Sequence, residues 1–259
     1  MDIVGWWMDG RNYKRQLAQL DYPNTFTIFK TRAWLMTAKN IIYRERLGDV
    51  LRCLPAAKFL ADQGHEVFFD CLPQYHGIFE MTSYVKVGYG QGDIINLEVW
   101  PNRYQEYRFS NKTWTEFVYA HPAINKADPT NILFDKLDDE PAKGLPSEYN
   151  MVAPFGISQG DKRDPLKIIV EARKSAGANN FIVLAPEGTQ ITGLQTYTAP
   201  SVSEMARAIR GATEFYAINS APMVIAAGVR KEKKVIFYPQ KIEPFDKDNL
   251  FIWDSVELN

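Results

Sequence analysis

Cysteine is nearly missing from this chain. Cys53 and Cys71 are the only two in 259 residues, too few for a disulfide framework and without metal-ligand spacing, so a reducing, cytoplasmic setting is expected. Histidine is as scarce: His65, His76 and His121 show no spacing that suggests a metal site or a catalytic triad, and each reads as structural. No stretch approaches the ~18 apolar residues of a membrane span. The amino terminus carries Asp2 and Asp9 and lacks a continuous apolar signal core. A formal charge of -1 gives no global attraction to polyanions, which disfavours a general nucleic-acid binder while leaving a local basic patch open. Neither a Gly-rich dinucleotide fingerprint nor a Walker loop occurs, so NAD binding and P-loop ATP hydrolysis lose their usual support.

What is present is an α/β pattern, with enough chain for one large or two small domains. Residues 1–40 follow no clear period. Trp6, Trp7, Tyr13, Tyr22, Phe26, Phe29 and Trp34 are scattered among polar residues, with "TFTIFKT" the best strand candidate, and the segment reads as an extension, a hairpin or lid. From Met1 to Arg52 nine Lys or Arg stand against five acids, a local balance of +4. Arg11, Lys14 and Arg15 lie in that region, which resembles a nucleic-acid or phosphate surface and reads equally as a solvated face around a small aromatic core.

The stretch "IIYRERLGDVLRCLPAAKFLADQGHEVFFD" then reads as strand, helix, strand. Val50, Leu54, Ala57 and Leu60 share one helical face, and Pro55 belongs in a first turn. "GDIINLEVW" reads as a strand, "KTWTEFVYA" as a short helix and "KLDDEPAKGLPSEYN" as an interdomain linker. Beyond it, strands in "NMVAPFG", "NNFIVLAP", "TEFYAIN" and finally "KKVIFYP" alternate with helices. One helix opens at Asp164-Pro165 and stops at Gly177, another opens with a Ser201 to Glu204 capping box, and "PMVIAAGV" is a third. Such alternation predicts a parallel, doubly wound sheet. The expected units are 1–40, 41–140 and 150–259.

In open α/β sheets ligands bind beyond the carboxyl ends of the strands. Four polar loops lie there: Leu47-Gly48-Asp49, 156–163, 186–189 and 219–222. The loop from Gly156 through Ser158 to Lys162 and Arg163 is small, then cationic, and leads into a helix start, a composition suited to phosphate or to a plain charged loop. Asn219, Ser220 and Ala221 open another helix with small residues. Two anion-ready loops in one half favour a diphosphate.

The order of these loops resembles the lipopolysaccharide heptosyltransferases and related glycosyltransferases of the GT-B fold. The residues that carry the resemblance are Gly48-Asp49-Val50 with Leu54-Pro55-Ala56, the "GISQGDKRDP" loop and the "INSAPMVIAAGV" turn and helix. It implies two Rossmann-like domains facing a cleft, an acceptor-side half at 41–140 and a nucleotide-sugar-binding half at 150–259. It further implies Asp49 as general base on an acceptor hydroxyl and Lys162 as the cation at the departing diphosphate. Gly156, Ser158, Arg163, Glu187, Asn219, Ser220 and Ala221 would hold the donor. Asp49 reads equally as a helix N-cap, and Glu187 as a surface carboxylate.

By the same resemblance the chain is a metal-independent, inverting transferase with no cofactor beyond its nucleotide-diphosphate sugar. The acceptor is a saccharide or a hydroxylated nucleic-acid base in DNA, contacted through Arg11, Lys14 and Arg15. Asn219 replaces the family's usual Asp, Ala221 its Gly and Val224 a common His. Those departures keep a non-catalytic nucleotide-sugar-binding module as the alternative. Asp246-Lys247-Asp248 matches the Asp-Xaa-Asp of metal-dependent glycosyltransferases but sits in a polar turn and is read as chance.

Overall fold

A computed structural model describes residues 37–156, 164–177, 180–230, 235–238 and 256–258. The strand candidate "TFTIFKT", Asp246-Lys247-Asp248, Arg11, Lys14, Arg15, Ser158, Lys162 and Arg163 lie outside the described residues.

The first sheet holds β1 (Ala38–Ile42), β2 (Val67–Asp70), β3 (Lys86–Val87) and β4 (Gly92–Asn96), all parallel, in the order β3-β2-β1-β4. Since β1 starts at Ala38, the boundary expected after residue 40 falls inside a strand. Ile41 is in register with Phe69 and Ile95, and all three are buried, as the period of two requires. Asn40 is buried on the other face. Its amide donates to the Asp93 carbonyl at 3.3 Å and its oxygen accepts from the Gly90 amide at 2.7 Å, so its polar atoms are satisfied.

The helix expected after β1 is two helices, α1 (Leu47–Arg52) and α2 (Leu54–Asp62), parted at Cys53. Pro55 has no amide to offer the Leu51 carbonyl, so the ladder breaks there and Pro55 falls in the first turn of α2. A 3-10 segment (Pro73–Met81), α3 (Tyr104–Phe109) and α4 (Trp114–Tyr119) complete this half. Thr113 and Glu116 form a reciprocal capping box at the start of α4.

In the second half β5 (Asn150–Ala153), α5 (Pro165–Ala176), β6 (Phe181–Leu184), β7 (Gln195–Tyr197), α6 (Val202–Gly211), β8 (Phe215–Ala217), α7 (Ala221–Val229), β9 (Val235–Phe237) and β10 (Val256–Leu258) follow in turn. The sheet is parallel, in the order β10-β9-β8-β5-β6-β7. β9 is therefore not the last strand, and β7 is an addition: its residues show no apolar alternation because the strand lies at the sheet edge, half-exposed. Asp164 caps α5 by accepting the Leu166 amide at 2.9 Å, and Gly177 ends the helix at a φ of 78°. Ser201 accepts the Glu204 amide at 3.1 Å. Glu204 does not close the expected box, because its carboxylate is taken by Arg207 and the Lys143 amide.

Both sheets are doubly wound, and the chain reverses its direction of strand addition between β1 and β4 in the first and between β5 and β8 in the second. A continuous apolar cluster runs from Ile41, Val50 and Phe69 of the first half to Ile182, Met223 and Val224 of the second. The linker is pinned to the second half. Arg207 donates to both carboxylate oxygens of Asp138, at 2.8 and 2.6 Å, and Arg210 donates to the Asp138 carbonyl at 2.6 Å. Gly228 of α7 leaves room for the segment just before the linker: a methyl group there would lie 2.6 Å from the Phe134 ring and 2.8 Å from the Ile132 side chain.

Candidate functional site

Ligands of open α/β sheets lie outside the strand ends where the strand order reverses. In the second sheet that point is flanked by the loops after β5 and β8, and Gly156 and Ser220 meet across it. A methyl group on Gly156 would lie 3.1 Å from Ile218 Cδ1, 3.5 Å from the Asn219 carbonyl oxygen and 3.8 Å from Ser220 Cβ. Only a small residue allows that approach. Ser220 precedes α7 in extended conformation, and its hydroxyl donates to the Ile218 carbonyl at 3.1 Å instead of capping the helix. Pro222 removes one amide from the first turn, and the Met223 amide returns to the Ser220 carbonyl at 3.1 Å. Among the described residues the Ala221 amide is the one first-turn donor that this local pattern leaves over.

In the first sheet the reversal lies between β1 and β4. The loop after β1 leads through Glu45 into α1, where Asp49 stands in the first turn and Arg46 occupies the N-cap position. Asp49 is therefore not the cap. Its charge raises the pKa of four neighbours, Tyr43, Glu45, Cys53 and Tyr75, in each case alongside a larger rise from burial. Glu45 bridges the reversal: its Oε1 accepts the Val99 amide at 3.0 Å and the Trp100 amide, and its Oε2 accepts the Tyr43 hydroxyl at 3.3 Å. Burial pushes the Glu45 carboxyl up to about 7 against the lowering effect of the Trp100 amide, and the Asp49 charge adds to the rise. Arg44 pairs with Asp70, and the Arg44 amide donates to Glu98 at 3.3 Å.

The two reversal points face each other. Gly48 packs against the first turn of α7, with a would-be methyl 3.6 Å from the Cα and amide nitrogen of Ala221. Gly48 with Ala221 and Gly156 with Ser220 are thereby gathered at one junction, Asn219 joins them through its carbonyl, and Asp49 follows Gly48 in the first turn of α1. Glu187 is not gathered: it sits exposed in the turn 186–189, closed by the Thr189 amide to the Pro186 carbonyl at 3.1 Å. Val224 is buried in α7, so no polar group at that position would reach the junction without repacking the core. Glu45, Tyr75 and Trp100 are the members that sequence reasoning missed. The available signal was position alone, since Glu45 lies four residues before Asp49 and Trp100 follows the strand β4.

Cys53 and Cys71 are free and buried, with burial raising both thiols, that of Cys71 to about 12, so neither is a ready nucleophile. No group of three or more metal-ligating side chains occurs among the described residues, and no helix among them is long and apolar enough to cross a membrane.

No protein-family model matches the chain, and no curated protein matches it by sequence. Solved structures do. The heptosyltransferase WaaC of E. coli with ADP is 12% identical, with a TM-score of 0.57 over 86% of this chain and 92% of that one. A glycosyl transferase family 9 protein from Veillonella parvula is also 12% identical, with a TM-score of 0.60 over 86% of this chain and 85% of that one. The iron-containing dodecameric glycosyltransferase TibC of enterotoxigenic E. coli is 13% identical, with a TM-score of 0.57 over 78% of this chain, which spans 57% of TibC. At such identities the likeness speaks for architecture. The chain has the two-sheet GT-B fold of the heptosyltransferases and their glycosyltransferase relatives.

Proposed function

We propose that this protein transfers a sugar from a nucleotide-diphosphate sugar to an acceptor hydroxyl, with inversion at the anomeric carbon. One observation carries the reading: the approach of Gly48 to Ala221 joins a carboxylate-bearing turn of one domain to a phosphate-ready helix start of the other. Asp49 takes the proton as the acceptor oxygen bonds to the anomeric carbon, and the carbon–oxygen bond to the diphosphate breaks on the opposite face. The departing charge falls to the amides at Gly156 and Ala221, to Ser220 and, by resemblance, to Ser158, Lys162 and Arg163. Glu187 and Asn219 are assigned to the donor on the same ground. The reaction requires no metal in this scheme.

The acceptor we favour is a saccharide. A hydroxylated base in DNA is the second reading, supported by the +4 balance of residues 1–52 with Arg11, Lys14 and Arg15. A non-catalytic nucleotide-sugar binder is the third, supported by Asn219, Ala221 and Val224.

Thermal shift with ADP, UDP, GDP and CDP tests the donor site: a diphosphate should raise Tm by mass action, more than its monophosphate, and Lys162→Ala should reduce the effect. No shift with any diphosphate at millimolar concentration sinks the proposal. Release of labelled sugar from a bound nucleotide sugar then separates an enzyme from a binder. DNA affinity that is absent, or insensitive to salt and to charge reversal at Arg11, Lys14 and Arg15, removes the nucleic-acid acceptor.

A further inference from the structure

We infer that α5 is a membrane-docking face that lies flat on an anionic lipid surface, with Leu166 and Val170 set into the acyl boundary and Lys167, Arg173 and Lys174 on the headgroups. The inference concerns the outer surface of the second half and does not rest on the glycosyl-transfer reading.

The two faces of the second sheet are used differently. Met151, Ile182 and Phe215, in register, join the core shared with the first half, and Val152, Val183 and Tyr216, one residue on in each strand, form a separate cluster with Ile168, Ile169 and Ala172 of α5. Among the described residues α5 is the one helix of that cluster, and its far side meets solvent. At 3.6 residues per turn Arg173, Leu166, Val170, Lys174 and Lys167 follow one another around that far side within about 120°. All five are exposed, Leu166 by 54% and Val170 by 52%. Of the large apolar side chains exposed among the described residues, these are the two that share a helix face. The stripe itself holds no acid: Glu171 lies at its edge, half-buried, and the Asp164 carboxylate is taken by the Leu166 amide.

Charge and size select the occupant. No ion pair among the described residues engages Lys167, Arg173 or Lys174, whereas Lys58, Lys86 and Arg207 are each paired with a carboxylate. A nucleic acid would reward the three cations and leave Leu166 and Val170 wet. A stable protein partner takes about 800 Å² from each side, more than one face of a helix about 18 Å long can give. An anionic bilayer suits the whole stripe. Its acyl boundary removes the two apolar side chains from water while the long cationic side chains reach the headgroups, and no minimum area applies.

Co-sedimentation of the full chain with vesicles tests the face, using phosphatidylcholine alone and phosphatidylcholine mixed in equal parts with phosphatidylglycerol. Binding to the mixed vesicles should exceed binding to phosphatidylcholine severalfold and weaken as salt is raised. Leu166→Ser with Val170→Ser should cut it severalfold, and charge reversal at Lys167, Arg173 and Lys174 should abolish it, with Tm unchanged because these side chains face outward. Leu166→Trp keeps the apolar face and should bind more tightly, which a variant that merely misfolds would not do. No binding to the mixed vesicles, equal binding to both kinds, or a Leu166→Ser, Val170→Ser protein that is folded and binds like wild type overturns the inference. So does binding of duplex DNA that needs the three cations in a protein that ignores vesicles, since that assigns the stripe to phosphates alone. Self-association in sedimentation velocity that the two serine substitutions remove, again without vesicle binding, assigns it to a second copy of the chain and overturns the inference equally.

Discussion

Gly48 and Ala221 lie in different domains, yet a methyl group on Gly48 would touch the Cα and the amide nitrogen of Ala221 at 3.6 Å. That is ordinary van der Waals contact, so Gly48→Ala should fold normally and gain up to ~1 kcal/mol from helix propensity. Gly48→Phe has no such room and should cost ~1–3 kcal/mol by overpacking. Thermal melts of the two variants, with diphosphate binding alongside, check this. A Gly48→Phe protein as stable and as competent in nucleotide binding as wild type would show that the junction is not a packed contact.

Asp49→Asn isolates the base. With Arg46 at the N-cap position, the substitution removes no cap, and the loss of the first-turn charge is worth a few tenths of a kcal/mol. Turnover should fall ~10²- to 10⁴-fold with donor affinity nearly intact. Calorimetry of donor binding beside mass-spectrometric detection of sugar transfer reads both. Near wild-type transfer would end the catalytic assignment.

Glu45 makes stability depend on pH. Its folded-state pKa is raised to about 7, so the folded protein holds this proton more tightly than the unfolded chain does. The stabilisation is complete below the ordinary Glu range and is lost as pH rises through about 7. Glu45→Gln keeps an acceptor for the Val99 and Trp100 amides and removes the buried charge. It should raise stability by roughly 1–3 kcal/mol at pH 8 and change it little at pH 5. Melting curves at the two pH values measure the difference, and an equal effect at both would refute the assignment.

Arg230 is a buried structural cation. Its Nη1 donates to the Ile209 carbonyl at 2.9 Å and to that of Ala212 at 2.5 Å, and Nη2 donates to Thr213 at 3.1 Å, closing the end of α6. Burial lowers its pKa to about 10. Arg230→Met fills similar volume but strands those carbonyls, and a loss of about 2–4 kcal/mol is expected. A melting temperature within a degree of wild type would mean that water replaces the guanidinium.

Much of this architecture is written locally. Asp164-Pro165 and Gly177 bound α5 because a cap, a fixed φ and a left-handed stop act within one turn, and Ser201 opens α6 for the same reason. The alternation of strands and helices in the second half is enough to predict a parallel, doubly wound sheet there. Local signals also located the Gly48-Asp49 turn and the Ser220-Ala221 helix start. They failed at β7 and β10, where pairing with a neighbouring strand supplies order that the segment's own pattern does not. They also failed at Cys53, where one missing amide divides a helix.

Sequence by itself determined which residues could act, because caps, glycines and charged turns are decided by neighbours along the chain. Only the tertiary structure decided which of them meet. The contacts of Gly48 with Ala221, of Gly156 with Ser220 and of Glu45 with Trp100 join segments far apart in the chain. They follow from strand order and from the apolar core shared by the two domains, which is set by burial summed over many residues. Glu45 shows the difference most plainly: in the sequence it is one more charge beside Arg44 and Arg46, and in the fold its carboxylate fastens the rim of the candidate site.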